Sequence, residues 1–186
     1  MIGAGARPLL ERGFQAAGRT DMSDQMLDRL YERFVAYYAA HIADRSRPFP
    51  GLLEALDRLS TSGFRLAVCT NKLEWLSLRL LDGLGLTKRF VAICGSDTFK
   101  LQKPNPDFLL RTIERTGGSI DAAVMVGDSV NDIAPARAIG IPAIAVDFGY
   151  SETPIRDLEP NRVISAYSEL PEAIFELLGK ASRGSR

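Results

Sequence analysis

The chain has 186 residues, of which 46% are hydrophobic and 25% charged, a composition that is ordinary for a globular protein. Lysine plus arginine and aspartate plus glutamate number 23 each, so no net charge favours nucleic acid or an anionic membrane as a partner. No apolar run is long enough to span a bilayer, and the first residues lack the layout of a signal peptide, so we expect a cytoplasmic protein. Cys69 and Cys94 lie in apolar runs without metal-ligand spacing, which favours buried free thiols over a disulfide or redox pair.

The first part of the chain is predicted to be helical, because residues 7–44 contain no strand-like run. Apolar side chains recur there at intervals of three and four, a stripe that predicts packing against a core rather than a binding platform. Its members are Leu27, Leu30, Tyr31, Phe34, Val35, Tyr38 and Ile42. The sequence PFPG at 48–51 cannot continue a helix. We therefore predict a helical segment at 1–47, an α/β core at 48–180 and a flexible tail at 181–186.

After residue 51 the predicted helices alternate with short apolar strands. The helices are expected at about 52–61, 74–84, 106–116, 131–138 and 171–178, and the strands at 64–69, 90–94, 124–126, 142–146 and 162–164. Strands that are apolar almost throughout are buried on both faces, as in a parallel sheet covered by helices. The pattern predicts an α/β fold with a Rossmann-like, doubly wound parallel sheet.

Two carboxylates follow the apolar run 122–126, in the sequence GDSVND at 127–132. Ligands of α/β sheets bind just beyond the carboxyl ends of the strands, where Asp128 is expected to lie. Asp132 comes four residues later, so one helical turn can bring it back to the same place. Paired carboxylates offer the oxygen ligands that Mg²⁺ prefers. The alternative is that Asp128 caps the helix and Asp132 is an ordinary acid of its first turn.

Two other predicted strand ends carry polar residues. Thr70 and Asn71 end the strand at 64–69, where a hydroxyl and an amide can donate to an anion or can simply cap the next helix. Lys103 immediately precedes Pro104, which forces an extended backbone, so this lysine is either a fixed positive charge or a mobile surface residue. Together the three strand ends suit a phosphoryl group bound with Mg²⁺.

These three segments, in this order, resemble the second, third and fourth motifs of the haloacid dehalogenase superfamily of phosphatases. The segments are 64–72, which ends in TNK, KPNP at 103–106 and GDSVND at 127–132. Within the superfamily, CTNK at 69–72, GSDT at 95–98 and IGAG at 2–5 point most to the phosphoglycolate phosphatases. The resemblance implies an Mg²⁺-dependent phosphomonoester hydrolase that acts on a small phosphorylated metabolite, 2-phosphoglycolate.

The resemblance also implies a role for each polar residue. Thr70 would hydrogen-bond the phosphoryl oxygens, and the backbone N–H of Asn71 would be a second donor. Lys103 would neutralise charge on the phosphate and on the nucleophile. Asp128 would bind Mg²⁺, and Asp132 would support the ion or a water bound to it.

The family's nucleophile is the first aspartate of an Asp-x-Asp motif on a central N-terminal strand, and this sequence contains no Asp-x-Asp. Nor does it contain an apolar strand before residue 64. The resemblance therefore implies an N-terminally truncated chain that has a partial helical cap and lacks its central first strand. Two alternatives are an inactive phosphate- or Mg²⁺-binding regulatory or scaffold protein and a protein whose missing strand comes from another chain. Arg7, near the start of the cap, is a candidate for contacting a substrate carboxylate.

Overall fold

The computed structural model describes residues 6–19, 23–151 and 153–179. The predicted tail at 181–186 and the motif at 2–5 lie outside the described residues. The helices are α1 (Ala6–Ala16), α2 (Asp24–Ala40), α3 (Leu52–Thr61), α4 (Glu74–Gly83), α5 (Pro106–Arg115), α6 (Val130–Ala138) and α7 (Leu170–Leu177). The strands are β1 (Ala67–Cys69), β2 (Ala92–Cys94), β3 (Met125–Gly127), β4 (Ala143–Val146) and β5 (Arg162–Ile164). Short 3₁₀ helices lie at Thr87–Arg89, Ile120–Ala122, Ile155–Leu158 and Tyr167–Glu169.

The strands of the described residues form two parallel groups. β1 pairs with β2, while β3, β4 and β5 pair in that order. β4, the middle strand of its group, is buried along its whole length, whereas β1 and β3 each have two half-buried residues. Within the described part of the chain, β1 and β3 therefore each have one edge without a strand partner. The predicted doubly wound parallel fold is confirmed.

Helices on both faces join the two groups of strands into one core. One apolar cluster lies under α3 and α7, and its buried members are Ala55, Leu59, Ile144, Val146, Ile164, Leu170, Ala173, Ile174 and Phe175. The other lies under α5 and α6, and its buried members are Leu109, Met125, Ile133, Ala136, Ile141, Ala143, Ala145 and Leu158. Leu66, immediately before β1, and Val126 of β3 both pack against the first cluster, and Cys69 of β1 packs against the second. The carboxyl ends of β1 and β3 consequently face the same edge of the core.

The helical segment is attached to the core through α4. Ala39 and Ile42, in and just after α2, form a buried cluster with Leu76 of α4. Three members of the predicted apolar stripe take part in this contact, Val35 and Tyr38 on α2 and Ile42 just after it. α4 begins shortly after the end of β1, so the cap helices rest on the element that leaves the Thr70 loop. The assignment of 1–47 as a separate cap segment stays a prediction.

Aromatic residues hold the connection between the cap segment and the core. Phe49 contacts Phe148 and Tyr167, with ring centroids 5.3 Å and 6.2 Å apart. Gly51 has a φ of 77°, a left-handed backbone that lets the chain turn into α3. The predicted end of the helical pattern at 48–51 thus corresponds to a turn whose Phe49 packs against the core. Within the described residues, no helix combines the length and the apolar character that a membrane span requires.

Candidate active site

The loop after β1 is held in shape by hydrogen bonds of Thr70. Its backbone N–H donates to the carbonyl of Cys94 on β2 at 3.0 Å, which continues the strand pairing by one residue. Its side-chain oxygen accepts a hydrogen bond from the backbone N–H of Lys72 at 3.2 Å. The hydroxyl proton remains able to point away from the turn, so Thr70 can donate to an anion at this edge.

Asn71 binds the backbone of the lysine loop at two points. Its side-chain oxygen accepts from the N–H of Lys103 at 2.7 Å, and its side-chain nitrogen donates to the carbonyl of Lys103 at 2.9 Å. The peptide bond between Lys103 and Pro104 is cis. The amide of Asn71 therefore positions Lys103, and the alternative of a mobile surface lysine is excluded.

The ammonium group of Lys103 forms a buried ion pair with Asp132. Its Nζ lies 2.5 Å from Oδ1 of Asp132, and the two side chains are only 10% and 9% exposed. A buried charge must be paired and hydrogen-bonded, so each of these residues requires the other. The pair joins the loop before α5 to the start of α6.

The second oxygen of Asp132 closes the turn that begins α6. It accepts hydrogen bonds from the backbone N–H groups of Asp128 and Ser129, both at 3.2 Å, and from the Ser129 hydroxyl at 2.8 Å. Ser129 is the N-cap of α6 and forms a capping box with Asp132. The helix-cap alternative thus applies to Ser129 rather than Asp128. A Cβ on Gly127 would lie 2.3 Å from the Cβ of Asp132, so this close turn requires glycine.

Asp128 lies in the loop that follows β3 and contacts the loop that follows β4. Its Oδ2 accepts from the backbone N–H of Tyr150 at 2.8 Å, and among the described residues its other oxygen has no hydrogen-bond partner. Gly149 permits the contact, because a Cβ there would lie 2.2 Å from the Cβ of Asp128. Burial, and secondarily the charge of Asp128, raises the pKa of Tyr167, a half-buried aromatic residue.

A residue that is distant in sequence, Asp97, accepts a hydrogen bond from the start of α4. The N-cap of α4 is Leu73, and the backbone N–H of Glu74 donates to Oδ1 of Asp97 at 2.7 Å. The Glu74 carboxylate accepts from the hydroxyl of Thr98. The alternative role of Thr70 or Asn71 as the cap of this helix is therefore excluded. The segment GSDT at 95–98, which contributed to the resemblance, holds α4 in place.

Two basic side chains, Arg7 and Lys72, contact α2 in the cap segment, and neither contact is predicted from the sequence. Arg7 on α1 pairs with Asp28 on α2, its Nη1 lying 2.5 Å from Oδ1, and this contact raises the Arg7 pKa. Lys72 donates a hydrogen bond to the hydroxyl of Tyr38 on α2, and its Nζ lies 4.4 Å from the centre of that ring. A lysine two residues beyond Thr70 and an aromatic stripe on α2 were the only signals in the sequence.

Both cysteines are free thiols, as predicted. Cys94 is fully buried and Cys69 half-buried, and they are register partners on β1 and β2. Burial raises the pKa of both thiols, so they remain protonated and unreactive near neutral pH.

The arrangement can bind an anion beside a metal ion. The carboxyl edge of the core presents a hydroxyl from Thr70, a fixed ammonium from Lys103 and an oxygen of Asp128 that has no hydrogen-bond partner among the described residues. Within the described residues no group of three histidine, cysteine or acidic side chains surrounds a single point. The carboxylate of Asp128, beside the anion-binding groups of Thr70 and Lys103, fits Mg²⁺. This ion is commonly held by one or two carboxylates together with water and substrate oxygens.

The comparison with known families agrees with this geometry. The sequence matches the family model of the haloacid dehalogenase-like hydrolases over residues 8–146. The chain belongs to this family of hydrolases, and the predicted resemblance is confirmed.

Its curated relatives carry a narrower name. The chain is 47% identical over 178 residues to a phosphoglycolate phosphatase of Agrobacterium fabrum, which covers 96% of this chain and 76% of the relative. It is 44% identical over 182 residues to a phosphoglycolate phosphatase of Mesorhizobium japonicum, covering 97% and 79%. A crystal structure of a predicted phosphoglycolate phosphatase from Haemophilus somnus superposes with a TM-score of 0.86 at 25% identity, covering 92% of this chain and 78% of that one.

Proposed function

We propose that this protein is an Mg²⁺-dependent phosphomonoester hydrolase that converts 2-phosphoglycolate to glycolate and phosphate in the cytoplasm. The observation that carries the proposal is a chain of contacts between the three loops that carry Thr70, Lys103 and Asp128, in a family of hydrolases. The Asn71 side chain binds the Lys103 backbone, and the Lys103 ammonium pairs with Asp132. Asp132 in turn accepts from the backbone N–H of Asp128. Relatives that share 44% to 47% of their aligned residues with this chain are named phosphoglycolate phosphatases, which supports the choice of substrate. The expected partner is a small phosphorylated metabolite, with no nucleic acid and no membrane.

The proposed function assigns a role to each residue of the site. The hydroxyl of Thr70 and the backbone N–H of Asn71 donate to phosphoryl oxygens, and the Asn71 side chain holds the lysine loop. Lys103 offsets negative charge as phosphorus is attacked. Asp128 holds Mg²⁺, which when bound stabilises charge on the phosphoryl oxygens. Asp132 keeps Lys103 and the Asp128 turn in place, and it supports the ion or its water through that turn.

Hydrolysis through a phosphoaspartate needs a nucleophilic carboxylate that faces phosphorus. Both carboxylate oxygens of Asp132 are used in the fold, and Asp128 is assigned to the metal. The sequence has no Asp-x-Asp, and β1 and β3 each present an unpartnered edge within the described residues. We propose that turnover requires an aspartate supplied on a further strand that pairs between β1 and β3.

A phosphatase assay with Mg²⁺ tests this proposal. The 186-residue chain is compared with a chain extended upstream by an apolar strand that ends in Asp-x-Asp. We expect phosphate release from 2-phosphoglycolate by the extended chain alone, and loss of that release in Asp128→Asn. Equal turnover by both chains would contradict the requirement for an added nucleophile, and no turnover by either would contradict the hydrolase proposal for this chain.

The alternative is an inactive phosphate- and Mg²⁺-binding protein with a regulatory or scaffold role. It is favoured by the absence of Asp-x-Asp from the sequence. It predicts that the chain binds inorganic phosphate with Mg²⁺ and that no extension produces turnover. Isothermal titration of the chain with phosphate, with and without MgCl₂, measures the binding that both functions share.

A further inference from the structure

A half-buried lysine connects the phosphoryl-binding loop to the cap helices. Lys72 lies in the turn between β1 and α4, and its ammonium group reaches Tyr38 on α2. It contacts that residue twice, through the phenol oxygen and through the face of the ring at 4.4 Å. Lys72 takes part in no ion pair within the described residues, so no carboxylate there lies within 4 Å of its Nζ.

Within the described residues, the Lys72 ammonium group contacts an uncharged side chain, that of Tyr38. A phenol oxygen and an aromatic face attract a cation, but less strongly than an anion does when water is partly excluded. Lys103, by contrast, already has the carboxylate of Asp132. Among the described residues Lys72 has no ion pair, so it is able to accept an anionic partner without breaking one.

The backbone of Lys72 is fixed beside the proposed phosphoryl site. Its N–H donates to the side-chain oxygen of Thr70 at 3.2 Å, and its carbonyl accepts from the N–H of Ser96 at 3.1 Å. The same turn therefore presents the hydroxyl of Thr70 and the ammonium of Lys72. A short ligand whose phosphate binds at Thr70 would have this ammonium group two residues away in the same turn for a second anionic group.

We propose that Lys72 is a specificity-determining residue that binds the carboxylate of a short phosphorylated carboxylic acid. Tyr38 holds the ammonium group in position while no ligand is bound. The choice of substrate is therefore coupled to the position of α2 on the core. This inference rests on the proposed function and deepens it by assigning the group that recognises the carboxylate. Arg7, the other cation considered for that task, is already paired with Asp28.

A binding experiment tests the proposal without requiring turnover. Isothermal titration in MgCl₂ compares 2-phosphoglycolate with ethyl phosphate, which has the phosphate and lacks the carboxylate. The 186-residue chain should prefer 2-phosphoglycolate by about 10- to 100-fold, the effect of one charge-assisted hydrogen bond. Lys72→Met should abolish the preference and leave the affinity for ethyl phosphate within about twofold.

Three further variants isolate the charge of Lys72. Lys72→Arg keeps a cation in the turn and should retain most of the preference. Tyr38→Phe keeps the ring and removes the hydroxyl, so the preference should be retained or increased because the ammonium loses a competing partner. Lys88→Met removes an exposed lysine from the 3₁₀ helix that precedes β2, at the opposite end of that strand, and should change neither affinity. Thermal unfolding is measured for every variant.

The two ligands separate failure of this inference from failure of the proposed function. If the unmodified chain binds neither ligand, the phosphomonoester site and the role of Lys72 are both overturned. If it binds both and Lys72→Met retains the preference, or weakens both ligands equally, only the role of Lys72 is overturned. Loss of the preference in Lys72→Met together with its retention in Lys72→Arg supports the role.

Discussion

At the scale of single residues, the site depends on buried polar groups that satisfy one another. Lys103 is held by the amide of Asn71 through its backbone and by Asp132 through its ammonium. A charged group in such a place is costly to leave unpaired, so removal of either partner affects stability as well as binding. The residues proposed to bind phosphate therefore also stabilise the fold around them.

The substitution Lys103→Met is expected to destabilise the protein by about 3–5 kcal/mol, because Asp132 would keep a buried, unpaired charge. The free energy of unfolding in urea measures this effect. Lys88→Met, at an exposed position, is the matched control and should change stability by less than about 0.5 kcal/mol. Lys103→Met combined with Asp132→Asn should recover part of the loss, and a strictly additive double variant would contradict the pairing.

The substitution Asn71→Ala removes both hydrogen bonds to the backbone of Lys103. We expect a loss of about 1–3 kcal/mol in the free energy of unfolding, since each neutral hydrogen bond contributes about 1 kcal/mol. Phosphate affinity should also fall, because Lys103 is no longer held in position. Titration with phosphate and urea unfolding are the two measurements. Unchanged phosphate affinity in a folded Asn71→Ala variant would show that the Asn71 amide does not position Lys103.

At the scale of elements, short strands end where the chain must turn sharply into a helix. β3 ends at Gly127, and α6 begins at Val130 with Ser129 as its N-cap. The turn is so tight that the side chain of Asp132 lies against the α-carbon of Gly127. The first turn of α6 and the end of β3 are consequently one structural unit.

The substitution Gly127→Ala tests that unit. Its methyl group would lie 2.3 Å from the Cβ of Asp132, so the turn must shift, and we expect a cost of about 1–3 kcal/mol in unfolding free energy. Gly13→Ala is a suitable control, because no described atom outside the neighbouring backbone of α1 lies within 4 Å of the added methyl group. There the change should be neutral or stabilising by up to about 1 kcal/mol. Equal effects at both positions would contradict the close packing at Gly127.

At the scale of the whole molecule, helices on both faces hold two groups of parallel strands in one core. Cys69 of β1 and residues of β3 and β4 contribute to the same apolar cluster under α5 and α6. Several titratable groups are buried in or beside this core. Burial raises the pKa of Cys69, Cys94 and Tyr167, and each of them is neutral when protonated.

The stability of the whole fold should therefore decrease in alkaline solution. The contribution of these groups is fully present below their unfolded pKa values, about 8.5 for cysteine and about 10 for tyrosine, and it is lost as the pH rises through their folded values. Urea unfolding between pH 7 and 11 measures it. The double variant Cys69→Ala, Cys94→Ala should have a shallower decrease between about pH 8.5 and 10, whereas Tyr167→Phe should alter only the region above about pH 10. An unchanged slope in the cysteine variant would exclude the thiols as its cause.

The sequence by itself determined the alternation of helices and strands and the three strand ends that carry polar residues. The prediction of α3 at 52–61 matches the structure, and the other helices of the core agree to within a few residues. These features depend on periodicity and on turn residues, which act over a few positions. The same local signals indicated Thr70, Lys103 and Asp128.

Only the tertiary structure decided which polar groups pair. It assigns Asp132 to Lys103, 29 residues away, Asn71 to the Lys103 backbone, 32 away, and Lys72 to Tyr38, 34 away. The sequence supplied the chemical groups, but their partners depend on how α2, α5 and α6 pack around the strands. Pairing over such separations is set by packing and burial, because a buried charge is stable only beside a partner that the fold brings to it.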